Sequence, residues 1–432
     1  MRIIIRNGYV VDPLSGTMER SDILVECGKI RKIEEKIREE ADQVLEADGC
    51  YVMPGFIDLH VHLRDPGQEY KETLATGGKA AVKGGVTTIC AMPNTCPPID
   101  DKEKYLDVQR RAEEESPAHV LQLGAVTKGQ KGEELADIEG MARAGCVGIS
   151  EDGKSVMNAS LYRRGMKAAK ECGMTVFAHC EDIQMVEGGV MNADENAGRL
   201  GMKGITNSVE DVIVARDILL AKETGVKLHL CHCSTADSVK MVEQAKKEGL
   251  PVTAEVCPHH FILTSDDIPG DDGNYKMNPP LRRRADVEEL RRGLKEGIMD
   301  VIATDHAPHG EEEKNQSMER APFGIVGLET SAALTYTELV KTDILSILDM
   351  ADKMSLQPAR ILGLTEKGSV SEGKIADLVV FDPGREYEID RETFVSKGKN
   401  TPFHGRKVWG EVRYTLVDGR LVYEGGVGSD RA

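Results

Sequence analysis

The sequence predicts an α/β protein, a (β/α)8 barrel with a small β-sandwich domain built from both chain termini. From about residue 53 to residue 365, short apolar segments of strand-forming residues alternate eight times with amphipathic helical segments. Residues 1–52 and 366–432 instead contain closely spaced strand-like segments separated by turn signals. A chain of 432 residues is long enough for more than one domain.

The N-terminal segment, residues 1–52, is predicted to form short strands. Turn signals at Asn7-Gly8 and Cys27-Gly28 separate them. The strands are expected at Ile3–Ile5, Tyr9–Val11, Asp22–Val25, Lys29–Ile33 and Tyr51–Val52. This spacing predicts a small antiparallel sheet.

The middle segment, residues 53–365, is predicted to form the barrel. In such barrels the functional side chains lie at the carboxyl ends of the strands. The expected strands are Phe56–His62, Thr87–Met92, Val120–Val126, Val147–Ile149, Thr175–His179, Lys227–His232, Val252–Val256 and Val301–Asp305. Helical patterns lie between them, for example at Lys102–Glu115, Leu161–Cys172, Val209–Thr224 and Ala236–Glu248.

The C-terminal segment, residues 366–432, returns to strand-forming patterns. The clearest are Ala376–Phe381, Val408–Tyr414 and Arg420–Tyr423. Because the two terminal segments flank the barrel in sequence, we expect them to pair with each other in one β-sandwich.

Composition excludes several classes of function. Lys plus Arg total 55 against 73 Asp plus Glu, a net charge of −18, which argues against binding to nucleic acid or to an anionic membrane surface. A single tryptophan argues against base stacking. No signal peptide or membrane-length apolar segment is present in the sequence, so the expected location is cytoplasmic and the ten cysteines are expected to be reduced.

Histidines and carboxylates occur at the ends of five predicted strands. Two histidines spaced i, i+2 project to the same side of a strand. The set is His60, His62, Asp152, His179, His232 and Asp305. Imidazole and carboxylate suit Zn, Co or Mn, of which zinc is the commonest. Each histidine alone fits a core position, but six such residues at one barrel rim predict a metal site with either one metal or two bridged by Asp152.

Strand parity separates these candidates from their neighbours. If a strand continues through residues 228–233, His232 faces opposite to Cys231, Cys233 and His229. We therefore expect those three side chains to serve packing rather than metal binding.

Several longer motifs resemble a known family. Residues 54–64, Pro-Gly-Phe-Ile-Asp-Leu-His-Val-His-Leu-Arg, resemble the opening signature of the amidohydrolase superfamily in its cyclic-amidase branch. Residues 303–309, Ala-Thr-Asp-His-Ala-Pro-His, resemble the closing signature of the dihydroorotases. Residues 91–95 and 276–282 also match, and the similarity to type I bacterial dihydroorotases spans nearly the whole chain.

This resemblance implies a hydrolase acting on cyclic amides. The implied reaction is the reversible cyclisation of N-carbamoyl-L-aspartate to L-dihydroorotate in de novo pyrimidine (UMP) biosynthesis, with one or two Zn²⁺ per subunit. Metal-bound hydroxide would attack the ring amide while Asp305 shuttles the proton. The six histidines and aspartates above carry over as metal ligands, and the substrate contacts as His62, Arg64, Asn94, Asn278, His309, Phe323 and Gly324.

The resemblance leaves open the bridging group, the exact activity and the assembly of the protein. Hydantoinases bridge their metals with a carbamylated lysine, whereas Asp152 occupies that place here and Lys154 lies nearby. The alternatives are another cyclic amidase, a hydantoinase or allantoinase, and a non-catalytic scaffold of the same fold. A homodimer is expected, and association with aspartate carbamoyltransferase is left open, as is the choice between a lid and an ordinary loop for residues 310–323.

Overall fold

The computed structural model describes residues 1–426, and the last six residues of the predicted C-terminal segment lie outside this range. Eight successive parallel strands form the barrel, and we number them one to eight in chain order. Their bounds are Phe56–Val61, Val86–Ala91, His119–Gln122 continuing as Gly124–Ala125, Gly148–Ser150, Thr175–Ala178, Lys227–Leu230, Val252–Val256 and Val301–Ile302. The predicted (β/α)8 fold is confirmed.

Strand pairing closes the barrel. Strands one to three form one parallel sheet, and strands three to eight form a second. The third strand belongs to both because its halves pair with different neighbours. A parallel bridge between Val61 and His306 joins strand one to the segment that follows strand eight. All the carboxyl ends therefore lie at one rim.

Helices follow the strands, with caps that the sequence supplies. Asp101 begins the second helix by accepting a hydrogen bond from the backbone N–H of Lys104 at 2.9 Å. The helices are Leu74–Lys83, Lys102–Glu115, Ile138–Arg143, Ala159–Glu171, Glu195–Leu200, Ser208–Thr224, Ala236–Lys247, Pro258–Ile262, Arg284–Lys295, Glu311–Lys314, Ser331–Thr335, Ile347–Ala351 and Gln357–Leu362. Two π-helical turns, Tyr336–Val340 and Asp352–Leu356, continue the helices that precede them.

The two chain ends build one β domain, as predicted, and hydrogen bonds join its strands into a single eight-stranded sheet. The ends meet where Tyr51–Pro54 pairs antiparallel with Leu378–Glu388. Ile3, Ile23 and Leu416 share the same apolar cluster, so both ends bury their side chains together. The strands are Arg2–Asp12, Thr17–Glu26, Lys29–Glu34, Gln43–Glu46, Tyr51–Pro54, Leu378–Glu388, Lys407–Val417 and Arg420–Glu424.

The prediction of a purely antiparallel N-terminal sheet is wrong. The first strand pairs in parallel with Gln43–Glu46 and with Tyr51–Pro54, so the sheet is mixed. The Asn7-Gly8 signal marks a bulge within one continuous strand, Arg2–Asp12, and not a turn between two strands. Asn7 adopts a φ of 62°, which lets the strand bend and continue.

No helix within residues 1–426 is long and apolar enough to cross a membrane.

Candidate active site

The six predicted metal ligands meet at the rim of the barrel. His60 lies in strand one, and the others lie one to three residues beyond the strand ends, where the chain turns away from the barrel. Asp152 is at the centre of the group. Its carboxylate lies 3.1 Å from His60 Nε2, 3.4 Å from His62 Nε2, 3.4 Å from His179 Nδ1 and 3.7 Å from His232 Nε2.

Asp305 also lies close to the first two histidines. Its Oδ1 is 3.1 Å from His62 Nε2 and 3.5 Å from His60 Nε2. His179 Nδ1 and His232 Nε2 are 2.9 Å apart. All six side chains are at least nine-tenths buried. Residues up to 245 positions apart in sequence thus converge on a volume only a few ångströms across.

The donor atoms fit a divalent cation. His60 Nδ1 lies 2.8 Å from Glu255 Oε1, so a neutral His60 ring that donates its one proton there would turn its Nε2 lone pair toward Asp152 Oδ1 at 3.1 Å. Both atoms are buried without a hydrogen-bond partner. Two acceptors at this distance repel each other unless positive charge lies between them. Imidazole nitrogens and carboxylate oxygens are the donors that zinc, cobalt and manganese accept.

The field at this cluster is negative, which favours a cation. Burial alone would lower the pKa of His60, but the charges of Asp152 and Asp305 outweigh it and raise that pKa well above its usual value. Burial would raise the pKa of Asp305, but the charge of His60 and the close contact with the His62 ring lower it far below the usual carboxyl range. Burial would also raise the pKa of Asp152, but the charge of His60 lowers it well below the usual value, so both aspartates are carboxylates.

Partners outside the ligand set fix the orientation of two histidines. Glu255 accepts from His60 Nδ1 and, at 3.0 Å, from His229 Nε2. Asn94 Oδ1 accepts from His62 Nδ1 at 2.9 Å, which directs His62 Nε2 toward the aspartates. A second partner of this kind is typical of histidines that bind metals.

The backbone is strained at this site. Arg64, His232 and Asp305 have positive φ angles of 59°, 33° and 49°, a region that residues other than glycine rarely adopt. Such conformations persist where the surrounding structure requires them, and they cluster at functional sites. Here they turn three polar side chains toward one rim.

Beside the six donors lies a cavity of about 230 Å³. Every residue that the resemblance implied as a substrate contact lines it, namely His62, Arg64, Asn94, Asn278, His309, Phe323 and Gly324. Gly324 has a φ of 131°, and a Cβ there would lie 2.6 Å from Ala307 Cβ. Only glycine fits, and its backbone is what borders the cavity.

Arg64 carries its charge into this cavity. The side chain is buried, its Nε donates to the carbonyl of Pro308 at 3.2 Å, and burial lowers the pKa of the guanidinium. Within residues 1–426, no carboxylate lies within the 4 Å of an ion pair with Arg64. A buried guanidinium with free N–H groups is suited to an anionic ligand.

His229 is fully buried, packs edge-on against the ring of Phe177 and lies outside the six-donor cluster. Strand six ends at Leu230, so the alternation assumed through residue 233 does not apply, and His229 bonds to Glu255. The possible ligand atoms of Cys231, His60 and Glu255 also lie within 4.8 Å of one another. The signal that could have found Glu255 is a lone carboxylate inside the apolar strand Val252–Val256.

Lys154 points away from the cluster, with its Nζ donating to the carbonyl of Gln130 at 3.4 Å. Residues 310–323 contain the short helix Glu311–Lys314. Lys314 is buried, and its ammonium donates to the carbonyls of Lys276, Pro322 and Gly324. These bonds hold the segment against the cavity wall.

Comparison with known proteins places this site in a family. The model of the amidohydrolase family matches residues 51–422. The chain belongs to the amidohydrolase family. Within it, the chain is 47% identical over 424 residues to a dihydroorotase from Pelotomaculum thermopropionicum, covering 98% of this chain and 99% of that protein. A dihydroorotase from Geobacillus sp. strain WCH70 is 47% identical over 427 residues, covering 99% of this chain and all of that protein.

Solved structures of amidohydrolases have the same fold. The L-hydantoinase (dihydropyrimidinase) of Arthrobacter aurescens superposes with a TM-score of 0.88 at 28% identity, covering 98% of this chain and 96% of that one. The dihydropyrimidinase of Brevibacillus agri superposes with a TM-score of 0.87 at 25% identity, covering 98% and 95%. Sequence identity is therefore much higher to dihydroorotases than to these hydantoinases.

Proposed function

We propose that this chain is a dihydroorotase, which cyclises N-carbamoyl-L-aspartate to L-dihydroorotate and reverses that reaction. One observation carries the proposal: a single cavity is lined by five of the six clustered donors and by the buried guanidinium of Arg64, which has no ion-pair partner within residues 1–426. The donor cluster suits amide chemistry, and the guanidinium suits a substrate carboxylate. Identity of 47% to dihydroorotases over nearly the whole chain supports the same conclusion.

We propose that His60, His62, Asp152, His179, His232 and Asp305 hold zinc, as one ion or as two that share Asp152. Asp152 supports the two-ion arrangement because its carboxylate lies within 4 Å of all four histidines. When bound, the metal polarises the amide carbonyl and lowers the pKa of water at the site. Metal analysis of the purified protein distinguishes one ion from two.

Arg64, Asn94 and His309 would bind the carboxylate of the substrate. Arg64 supplies the charge, and the two neutral side chains supply oriented hydrogen bonds. Fixing the carboxylate holds the ring amide against Asp305 and the ligand cluster, which lowers the entropic cost of reaction. Hydantoins lack this carboxylate, so they would leave the buried guanidinium without a partner.

Asp305 would move the proton. In ring opening, its carboxylate accepts a proton from the attacking water and returns that proton to the departing ring nitrogen. In ring closure, a protonated Asp305 assists departure of water from the carboxyl carbon. Protons and charges balance in this scheme. Carbamoyl-aspartate carries two carboxylates and dihydroorotate carries one, so ring closure consumes one proton.

The assay compares cyclisation of carbamoyl-aspartate by the apoenzyme, the zinc-restored enzyme and the Asp305→Ala variant of the zinc-restored enzyme. We expect activity in the zinc-restored wild type alone. Equal turnover by all three would reject the function, and turnover of hydantoin but not carbamoyl-aspartate would favour a hydantoinase. A non-catalytic scaffold would hold no stoichiometric zinc.

Assembly belongs to the same proposal. We expect a homodimer, which light scattering of the purified protein tests. Association with aspartate carbamoyltransferase is tested by the same measurement on a mixture of the two proteins.

A further inference from the structure

Lys71 is a buried lysine next to the cavity, and the sequence motifs did not single it out. It follows strand one in the loop after Arg64 and is 8% exposed. Its ammonium lies 3.2 Å from His309 Nδ1 and 3.1 Å from Glu313 Oε1. Glu313 also accepts from the Tyr70 hydroxyl at 3.0 Å and from the Gly310 N–H at 2.9 Å. Lys71 is thus held in place between two rim loops.

Two contacts of His309 decide which ring nitrogen carries the proton, one with the ammonium of Lys71 and one with the carbonyl of Phe323. An ammonium group can only donate, so His309 Nδ1 must accept. Burial and the charges of Arg64, Lys71 and Lys314 lower the pKa of His309 to about 2, so the ring is neutral with one N–H. That N–H is on Nε2, which lies 2.8 Å from the carbonyl of Phe323.

This assignment frees Arg64. Its NH2 nitrogen lies 3.3 Å from His309 Nε2, but a protonated Nε2 cannot accept a hydrogen bond. The Arg64 N–H therefore remains available to a ligand, and the Nε2–H that His309 donates to Phe323 is the one donor that this ring can turn toward a bound carboxylate. In the opposite tautomer, the Nε2 lone pair would accept a hydrogen bond from Arg64. That lone pair would also repel an incoming carboxylate.

We propose that Lys71 is a positioning residue that selects the Nε2–H tautomer of His309 and thereby makes the cavity selective for cyclic amides that carry a carboxylate. This role rests on the proposed function for its substrate, but the tautomer itself does not. Lys71 acts through His309, and its loop is tied to the short helix Glu311–Lys314 through Glu313.

The test is ¹⁵N NMR of protein labelled in its histidine rings, with the His309 signal identified by its loss in His309→Asn. The wild type must show a protonated Nε2 and an unprotonated Nδ1. A wild-type ring protonated on Nδ1, or on both nitrogens, overturns the proposal whatever the variants do. In Lys71→Met we expect the Nδ1–H form to appear, and Lys71→Arg, which keeps a donor, should restore the wild-type signal.

Kinetics with two substrates supply the second readout. Lys71→Met should raise KM for dihydroorotate about tenfold to hundredfold, the range for a hydrogen bond to a charged group, and change kcat less. Ring opening of dihydrouracil, which has no carboxylate, should change little. Lys79→Met, at an exposed position on the next helix, is the matched control and should match the wild type with both substrates.

The outcomes separate the two proposals. An unchanged His309 tautomer in a folded Lys71→Met variant overturns the role of Lys71, and so does an equal loss with both substrates. If the wild type has no dihydroorotase activity while the tautomer shifts as expected, the proposed function fails and the link between Lys71 and His309 stands. If Lys71→Met does not fold, the ¹⁵N spectra of the wild type and of Lys71→Arg still show whether His309 is protonated on Nε2 as proposed.

Discussion

The Oε1 atom of Glu255 lies 2.8 Å from the Nδ1 atom of His60, and both side chains are fully buried. Burial would raise the pKa of Glu255, but hydrogen bonds from His229 and His60 lower it to about 2. A carboxylate on one side of the ring fixes the proton there and makes the opposite nitrogen a better ligand. Glu255 would therefore orient His60 for metal binding in the proposed site.

Replacing Glu255 by Gln should weaken zinc binding about tenfold to hundredfold, because the amide no longer holds the charge that fixes the His60 proton. Competition with a chromophoric chelator measures this directly. Glu248→Gln, at an exposed helix end, is the control and should bind zinc as the wild type does. Unchanged affinity in Glu255→Gln would mean that the His60–Glu255 bond serves folding alone.

Arg64→Met should lower kcat/KM for dihydroorotate, because it removes a buried charge that would face the substrate carboxylate. The expected loss of transition-state stabilisation is about 2–5 kcal/mol. Ring opening of dihydrouracil should suffer much less. Steady-state kinetics with the two substrates gives the comparison. Equal losses with both substrates would mean that Arg64 shapes the cavity and does not recognise the carboxylate.

Removing the metal should destabilise the protein as well as inactivate it. Six buried donors, two of them carboxylates, lose the charge that balances them, and a ligand at a hundred times its dissociation constant stabilises by about 2.7 kcal/mol. Thermal unfolding before and after dialysis against a chelator measures the loss, and added zinc should reverse it. An unchanged melting temperature after complete removal of zinc would contradict the arrangement.

The two directions of the reaction should have different pH profiles. The low pKa of Asp305 keeps it ionised at neutral pH, the form that ring opening needs, so opening should be sustained as pH rises. Closure needs the proton and should decline over the same rise. Initial rates in both directions between about pH 6 and 9, a range that brackets neutrality, test this. Coincident profiles would remove Asp305 from the proton transfer.

The sequence predicted the barrel and the six donors because strand–helix alternation is periodic and because strand ends in a barrel share one rim. It did not predict Glu255 or Lys71, whose roles depend on contacts between strands or loops far apart in the chain. The parity argument assumed a strand through residue 233, whereas strand six ends at Leu230 and His232 adopts a left-handed conformation. The parallel pairing of Gln43–Glu46 depends on tertiary contacts that local patterns do not encode.

The most direct test of the central claim is an anomalous difference map from crystals of the zinc-loaded protein, recorded on both sides of the zinc absorption edge. We predict one or two strong peaks within coordination distance of His60 Nε2 and the Asp152 carboxylate, about 2.0–2.2 Å for nitrogen and oxygen ligands. A fully loaded crystal with no peak among the six residues, or with its zinc elsewhere, would contradict the account.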